Sequence, residues 1–151
     1  TVSRVLAVDP ATVGRKLAAE RVAKSHIALE YVGLDGEKLP LGPESVDHVL
    51  VTWTLCTIPA VGEALREMFR MIRPGGRLHF AEHGRSPDPK VARRQDRLNP
   101  FQRFWAGGCN LNRPIDTLVA DAGFEITHLA NFYVQGPKTM GYMYEGMATK
   151  S

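Results

Sequence analysis

The chain has 151 residues, of which 44% are hydrophobic and 23% charged, an ordinary composition for a folded domain. This length suits one domain with a core and is too short for two. A net charge of +3 is too small to indicate nucleic-acid binding. No apolar run reaches the roughly 18 residues that a membrane-spanning helix requires, and no secretory signal is visible. We therefore expect a cytoplasmic domain with no nucleic-acid partner.

The two cysteines, Cys56 and Cys109, lie far apart in the sequence. Their spacing matches neither a disulfide framework nor a metal cluster, and no two potential ligands have a recognised metal-binding spacing. The sequence therefore predicts no metal site. It also favours a reducing compartment, which agrees with the cytoplasm.

Apolar patterning predicts alternating strands and helices in the first half of the chain. Short apolar runs predict strands at 5–8, 27–32, 46–55 and 77–81. Helical spacing predicts helices at 11–24 and 60–72, the second of them ended by the turn at 73–76. Helical connections between apolar strands favour parallel pairing with helices on both faces. The loop at 34–45 is short for a helical crossover.

The second half begins with a basic and aromatic segment, residues 84–106, which holds six Lys and Arg residues, three prolines and three large aromatic residues. Two interpretations stay open: a lid packed on the core with its arginines in water, which is favoured, or a surface for an apolar substrate or a membrane. Then follow a predicted helix at 113–122 and strands at 125–134 and 142–148, whose short connection favours antiparallel pairing. The predicted fold is α/β, a Rossmann-like, mostly parallel sheet with helices on both faces and a C-terminal antiparallel strand pair.

Polar residues follow each predicted strand, where open α/β sheets bind their ligands. They are Asp9 after the first strand, Asp35, Gly36 and Glu37 after the second, Thr52 to Cys56 after the third, and Glu82 and His83 after the fourth. Because the carboxyl ends of parallel strands share one rim of the sheet, we expect these groups to converge. The sequence therefore predicts a ligand site at this rim.

Each of these residues also has a plainer interpretation. A carboxylate at Asp9 suits the two hydroxyls of a ribose, but Asp9-Pro10 is also a common turn pair. Asp35 suits an adenine amino group, but Asp35-Gly36 is typical of an exposed turn. His83 suits general base work or, equally, a hydrogen-bonded position on the rim.

Several segments together resemble class I S-adenosylmethionine (SAM)-dependent methyltransferases, in particular the type-11 group that includes quinone-biosynthesis enzymes. They are Val5-Leu-Ala-Val-Asp-Pro10, Gly33 to Leu41, Ser45 to Leu50 and Ala64-Leu-Arg-Glu-Met-Phe-Arg-Met-Ile-Arg-Pro-Gly-Gly-Arg77. The segments Phe80-Ala-Glu-His83 and Gly108-Cys-Asn-Leu-Asn-Arg113 resemble a branch with thiol- and phospholipid-methylating relatives. The resemblance covers nearly the whole chain.

The resemblance implies SAM as cofactor and assigns residues to it. Asp9, next to Pro10, would hold the ribose, and Asp35 would meet the adenine amino group, with Gly36 and Glu37 beside it. Thr54 and Leu55 would border the methionine part. Cys109, Asn112 and Arg113 match the branch's own motif and are placed near the acceptor.

The chain departs from the family in one respect, because the glycine-rich loop expected about 20 residues before the acidic residue at position 9 is absent. In the family's sheet, the strand before that loop lies centrally, between the strands that end at Asp9 and begin at Val46. We therefore expect residues 1–151 to form a single methyltransferase domain that is incomplete at its N-terminus.

The resemblance implies methyl transfer from SAM to a small-molecule acceptor. An apolar acceptor would follow only from the less favoured interpretation of segment 84–106, in which its aromatic residues face the substrate. A thiolate or amine acceptor needs no base, whereas a hydroxyl or carbon acid needs one, for which His83 and Glu82 are the candidates. A non-catalytic Rossmann-like remnant unable to hold SAM is the alternative. The C-terminal strand pair and the loop at 35–41 argue against a nicotinamide-dependent oxidoreductase.

Overall fold

A computed structural model of the chain describes residues 2–9, 12–33 and 41–151. The chain forms two compact units, Thr1–Leu41 and Gly42–Ser151. Among the described residues, no helix has both the length and the apolar character that crossing a membrane demands.

The first unit contains two parallel strands and a helix, close to the predicted boundaries. Strand β1 (Arg4–Val8) pairs with β2 (Ala28–Gly33), and helix α1 (Thr12–Ala23) connects them. A helix between two parallel strands is the expected βαβ arrangement. The apolar residues Val13 and Leu17 of α1 are exposed, so this part of the helix surface is not covered by the described residues.

The second unit is built on a four-stranded mixed sheet. Its elements are β3 (Val46–Thr52), α2 (Val61–Met71), β4 (Ile72–His83), α3 (Pro89–Trp105), α4 (Ile115–Asp121), β5 (Glu125–Tyr133) and β6 (Tyr142–Thr149). The strand order is β3-β4-β6-β5, with β3 parallel to β4 and both other pairs antiparallel. The predicted C-terminal antiparallel pair is therefore confirmed.

The core of this unit lies between the sheet and helices α2 and α4. Leu65 and Met68 of α2 lie on its buried face, as their helical spacing predicts. Ile115 and Val119 of α4 join them, and the fully buried Leu78 of β4 belongs to the same cluster. This packing fixes the position of β4 and therefore of the residues at its carboxyl end.

Three segments differ from those expected. Strand β4 begins at Ile72, directly after α2, so residues 73–76, which were predicted as a turn, belong to the strand. Strand β3 ends at Thr52 rather than at Leu55, because Trp53 adopts a left-handed backbone with φ of 52° that no strand accommodates. Residues 89–105 form a helix with Pro100 inside it, although the basic and aromatic composition of this segment gave no helix prediction. Its start carries a standard signal: the Asp88 carboxylate accepts the Lys90 N–H at 2.8 Å, and Pro89 occupies the first turn.

Candidate functional site

The carboxyl ends of the parallel strands β3 and β4 lie side by side. Thr52 is aligned with Ala81 across this pair, and the Trp53 N–H donates to the Ala81 carbonyl at 3.1 Å. The turn that follows β3 therefore lies next to Glu82 and His83, as expected for a shared rim of parallel strands. This part of the predicted convergence lies within the second unit.

Glu82 holds the turn after β3 in place. Its side chain is fully buried, and its carboxylate accepts the Thr54 N–H at 2.8 Å and the Cys56 N–H at 3.4 Å. Burial raises the pKa of Glu82, while these backbone hydrogen bonds act in the opposite direction. A buried carboxylate that accepts several N–H groups fixes a loop much as a helix cap does.

Trp53 is the strained residue of this turn. Its φ of 52° is unusual for a large side chain, and 57% of the residue is exposed. Its ring lies over the rim, 5.4 Å from the His83 ring and tilted by 30°. Strained backbone persists only where the surrounding structure enforces it, and such residues cluster at functional sites. Here the Glu82 hydrogen bonds supply that constraint.

Three side chains with sulfur or nitrogen atoms converge beside Glu82: Cys56, His83 and Cys109. Their sulfur and ring nitrogen atoms all lie within 4.8 Å of one another. The His83 Nε2 is 3.0 Å from the Cys109 Sγ, and the Cys56 Sγ is 3.4 Å from the Thr57 hydroxyl. Cys56 and His83 are buried, whereas Cys109 is half-buried. We call these three residues the thiol–imidazole cluster.

Burial shifts the pKa of two members of the cluster, Cys56 and His83. It raises the pKa of the Cys56 thiol to about 12, with the Thr57 hydrogen bond acting in the opposite direction. It lowers the pKa of His83, which favours a neutral imidazole. Within this chain alone, Cys56 is therefore a protonated thiol beside an uncharged ring.

The segment that carries Cys109 is tied to the turn after β3. The backbone N–H and side-chain amide of Asn110 donate to the Cys56 carbonyl at 2.8 and 3.0 Å. The Arg113 guanidinium donates to the carbonyls of Leu55 and Ile58, the latter at 2.7 Å. Two segments distant in sequence are thereby fixed against each other.

The residues predicted on the acceptor side have separate environments. Cys109 belongs to the thiol–imidazole cluster, and Arg113 is engaged by backbone carbonyls of the turn. Asn112 donates to the Asp96 carboxylate at 2.8 Å, and Asp96 also forms a two-bonded ion pair with Arg85. Their predicted place near an acceptor stays a prediction.

The residues predicted to bind SAM are only partly described. Pro10, Asp35, Gly36 and Glu37 lie outside the described residues. Asp9 is half-buried at the end of β1, and its carbonyl accepts the Arg15 guanidinium at 3.0 and 2.6 Å. In the second unit, the Leu55 side chain is fully buried in the core, and the Thr54 hydroxyl donates to the Thr52 carbonyl at 2.8 Å.

Two members of the site were given no role from the sequence, Cys56 and Asn110. Cys109 lies 26 residues from His83, and Cys56 also lies in a separate segment. No short spacing signals such a group. The sequence offers one signal for Cys56, because it is the last of the polar residues that follow β3 at the predicted ligand rim.

Comparison with solved structures identifies the class of fold. A SAM-dependent methyltransferase from Methanosarcina mazei superimposes with a TM-score of 0.73, at 17% identity, over 97% of this chain and 82% of the other. The Rossmann-like α/β fold predicted from the sequence is confirmed.

Comparison of sequences identifies the family. The family described as "Methyltransferase domain" matches residues 1–80, more than half of the chain. This chain belongs to that family of methyltransferases.

Two curated relatives show how much of such proteins the chain represents. Human thiol S-methyltransferase TMT1A is 30% identical over 145 residues, which cover 89% of this chain and 56% of the relative. The ubiquinone/menaquinone biosynthesis C-methyltransferase UbiE of Hahella chejuensis is 37% identical over 68 residues, or 45% of this chain and 27% of the relative. The chain therefore spans about half the length of TMT1A, and its match to the UbiE relative covers about a quarter of that protein.

Proposed function

We propose that this protein transfers a methyl group from SAM to a small-molecule acceptor. The observation that carries the proposal is the turn after β3, which the buried Glu82 carboxylate holds at the carboxyl end of a parallel strand pair. Open α/β sheets bind ligands at this end of their strands. Because the chain belongs to the methyltransferase domain family, SAM is the ligand that we propose for this rim.

Each unit contains described residues that we propose as contacts of SAM. Asp9, a half-buried residue, directly follows β1, and its carboxylate is proposed to accept hydrogen bonds from the ribose hydroxyls. Thr54 and Leu55, in the turn held by Glu82, would border the methionine part. Pro10, Asp35, Gly36 and Glu37 are proposed for the remaining contacts. SAM supplies an activated methyl group on a sulfonium, so the protein contributes chiefly by orienting the reactants.

A thiol is the acceptor we favour. The alignment with TMT1A, named a thiol S-methyltransferase, covers 89% of this chain and so includes the segment with Cys109, Asn112 and Arg113. The alignment with the UbiE relative, named a C-methyltransferase, covers 45%. A thiol acceptor reacts as a thiolate, which forms far more readily than an alkoxide and is intrinsically very nucleophilic, so it needs little help from a base.

Glu82 is proposed to position the turn rather than to act as the general base considered from the sequence. Its two carboxylate oxygens already accept backbone N–H groups, and its side chain has no exposed surface. His83 remains a candidate for contact with the acceptor, because its ring lies beside the exposed Trp53 at the rim.

The test begins with calorimetry of SAM and S-adenosylhomocysteine binding to the full-length protein. We expect binding of both, followed by methyl transfer to a small alkyl thiol that exceeds transfer to a hydroxynaphthoquinone. Transfer to the quinone alone would overturn the thiol assignment and leave SAM-dependent transfer intact. If the full-length protein bound neither nucleoside, the non-catalytic alternative would replace the proposal.

We also propose contact with an anionic membrane surface through the end of α3. Phe101, Phe104 and Trp105 are 68–82% exposed, which disfavours a lid packed on the core, and exposed arginines lie on the same helix. Apolar rings beside basic residues are typical of interfacial helices. The full-length protein should sediment with phosphatidylserine vesicles at low salt, and less after Trp105→Ser and Phe104→Ser. Equal sedimentation of this double variant would contradict the proposal.

The cytoplasm is the compartment we propose. Its support is the sequence, in which two widely separated cysteines give no disulfide framework of the kind that secreted domains use. Fractionation of cells that express the full-length protein would test this assignment, and recovery in an oxidising compartment would reject it.

A further inference from the structure

We propose that the thiol–imidazole cluster is a zinc site, in which Cys56, His83 and Cys109 bind one Zn²⁺ and leave its fourth position open. This goes beyond methyl transfer and does not depend on it. The sequence spacing predicts no such site, because the three ligands come from three separate segments. The tertiary structure brings them together.

The geometry suits a tetrahedral ion. Zinc binds thiolate sulfur at about 2.3 Å and imidazole nitrogen at about 2.0–2.1 Å, which places neighbouring ligand atoms roughly 3.5–3.8 Å apart. The three ligand atoms of the cluster lie within 4.8 Å of one another, with Nε2 of His83 at 3.0 Å from Sγ of Cys109. Changes of about an ångström, within reach of side-chain rotation, convert this arrangement into a coordination shell.

The backbone around the cluster is held by hydrogen bonds in the way that metal sites require. Glu82, next to His83, accepts the Cys56 N–H at 3.4 Å. Asn110, next to Cys109, donates to the Cys56 carbonyl through both its backbone and its side chain. The backbone of Cys56 is therefore hydrogen-bonded to the neighbour of His83 and to the neighbour of Cys109. These bonds hold the backbones of the three ligands against one another, which preorganises the site.

The ligand set selects the metal. Two sulfurs and one imidazole nitrogen favour a soft or borderline ion such as zinc over magnesium or calcium, which prefer oxygen. Two thiolates balance the charge of Zn²⁺, so the buried site carries no net charge from the ion and these ligands. Three protein ligands are typical of zinc sites that keep a position for water or substrate. The half-buried Cys109 provides the side from which a ligand enters.

A second pair of potential ligands lies elsewhere in the second unit and serves as a control. His48 and His79 stand on neighbouring strands with Nδ1 and Nε2 3.1 Å apart, and the contact is exposed. Two imidazoles without a further ligand, one of them on the exposed His48, bind zinc weakly and without selectivity. Loss of His48 should therefore leave the proposed site intact.

The experiment measures zinc in the untagged full-length protein, purified under reducing conditions. Elemental analysis counts bound zinc, and titration of the chelator-treated protein against a chromophoric chelator gives the affinity. Cobalt substitution then reports sulfur ligation through thiolate-to-metal charge-transfer absorption. The variants are Cys56→Ser, His83→Asn and Cys109→Ser, with His48→Ala as the matched control and circular dichroism as the check on folding.

We expect one zinc per chain in the wild type and in His48→Ala. Each ligand variant should lose more affinity than the roughly 10–100-fold that loss of an outer partner causes. Cysteine variants should also reduce the cobalt charge-transfer band. Cys109 is half-buried, so Cys109→Ser is the variant best placed to fold normally. A folded wild type without stoichiometric zinc, or a folded Cys109→Ser with unchanged affinity, would overturn the site. Neither result requires SAM, so failure here is distinct from failure of methyl transfer.

Discussion

The carboxylate of Glu82 accepts the backbone N–H of Thr54 at 2.8 Å, which joins the end of β4 to the turn after β3. The Cys56 N–H donates to the other carboxylate oxygen at 3.4 Å. One fully buried side chain therefore determines the backbone path at the rim where a cofactor is proposed to bind. The same side chain lies next to His83, a proposed zinc ligand.

Removal of this carboxylate should be costly. Glu82→Ala leaves the N–H groups of Thr54 and Cys56 without their acceptor, and an unsatisfied buried donor costs about 1–3 kcal/mol. Glu82→Gln retains one acceptor oxygen, so a smaller loss is expected. Urea denaturation measures both, and Glu145→Gln on the exposed side of the neighbouring strand serves as control. Equal stability of the Ala and Gln variants would show that the Glu82 hydrogen bonds to the turn contribute little to stability.

Backbone strain at Trp53 predicts an unusual order of substitutions. Its φ of 52° is accessible to glycine at little cost, whereas alanine is strained there. Trp53→Gly should therefore be more stable than Trp53→Ala by about 1 kcal/mol, although both remove the same ring. At Leu50, which is exposed within β3, the order should reverse, since glycine weakens a strand. Thermal unfolding of the Gly and Ala variants at both positions measures this order. The same order at Trp53 and Leu50 would contradict backbone strain at Trp53.

Gly84 sits in a gap that no larger residue fits. A Cβ there would overlap the Arg113 carbonyl oxygen and lie 3.0 Å from side-chain atoms of Ile115 and Tyr144. Gly84→Ala should lower the free energy of unfolding by about 1–3 kcal/mol, as is typical of overpacking. Gly42→Ala, which meets nothing within 4 Å, is the matched control and should stay within about 0.5 kcal/mol. Chemical denaturation measures both variants. Equal free energies of unfolding would show that the backbone near Arg113 shifts to accommodate the added methyl group at little cost.

The ion pair between Arg85 and Asp96 predicts a pH-dependent contribution. The Arg85 hydrogen bonds, aided by Asn112, hold the pKa of Asp96 below its usual range. Because the folded pKa is depressed, the stabilisation is complete above the unfolded pKa of about 3.9 and is lost as pH falls through the folded value. Both side chains are about two-fifths exposed, so solvent screening keeps the contribution below about 1 kcal/mol.

Asp96→Asn therefore should destabilise the protein slightly at pH 7 and progressively less below pH about 4. Denaturation of wild type and variant at a series of pH values measures the difference. A difference that stays constant into acid would indicate that hydrogen bonding by either form, and not the charge, stabilises this contact.

Much of the architecture followed from apolar periodicity. The strands at the start of the chain, helix α2 and the C-terminal strand pair lie where their patterns predict them, because burial of one face imposes a period of two or 3.6. Helix α3 was missed because its exposed arginines and aromatic residues hide that period. Only a short stretch near its start, including Val91 and Gln95, is buried.

The sequence by itself determined the family, most of the strands and helices along the chain and the polar residues at the strand ends, since these depend on local pattern and on the carboxyl-end rule of parallel sheets. It placed His83 and Cys109 in separate motifs without relating them to Cys56. Only the tertiary structure decided that the Glu82 carboxylate is buried and holds the turn after β3, and that two thiols and an imidazole meet beside it. The physical reason is that side-chain convergence depends on strand register and on hydrogen bonds between distant segments, such as those of Asn110 to Cys56. No local sequence pattern encodes those distances.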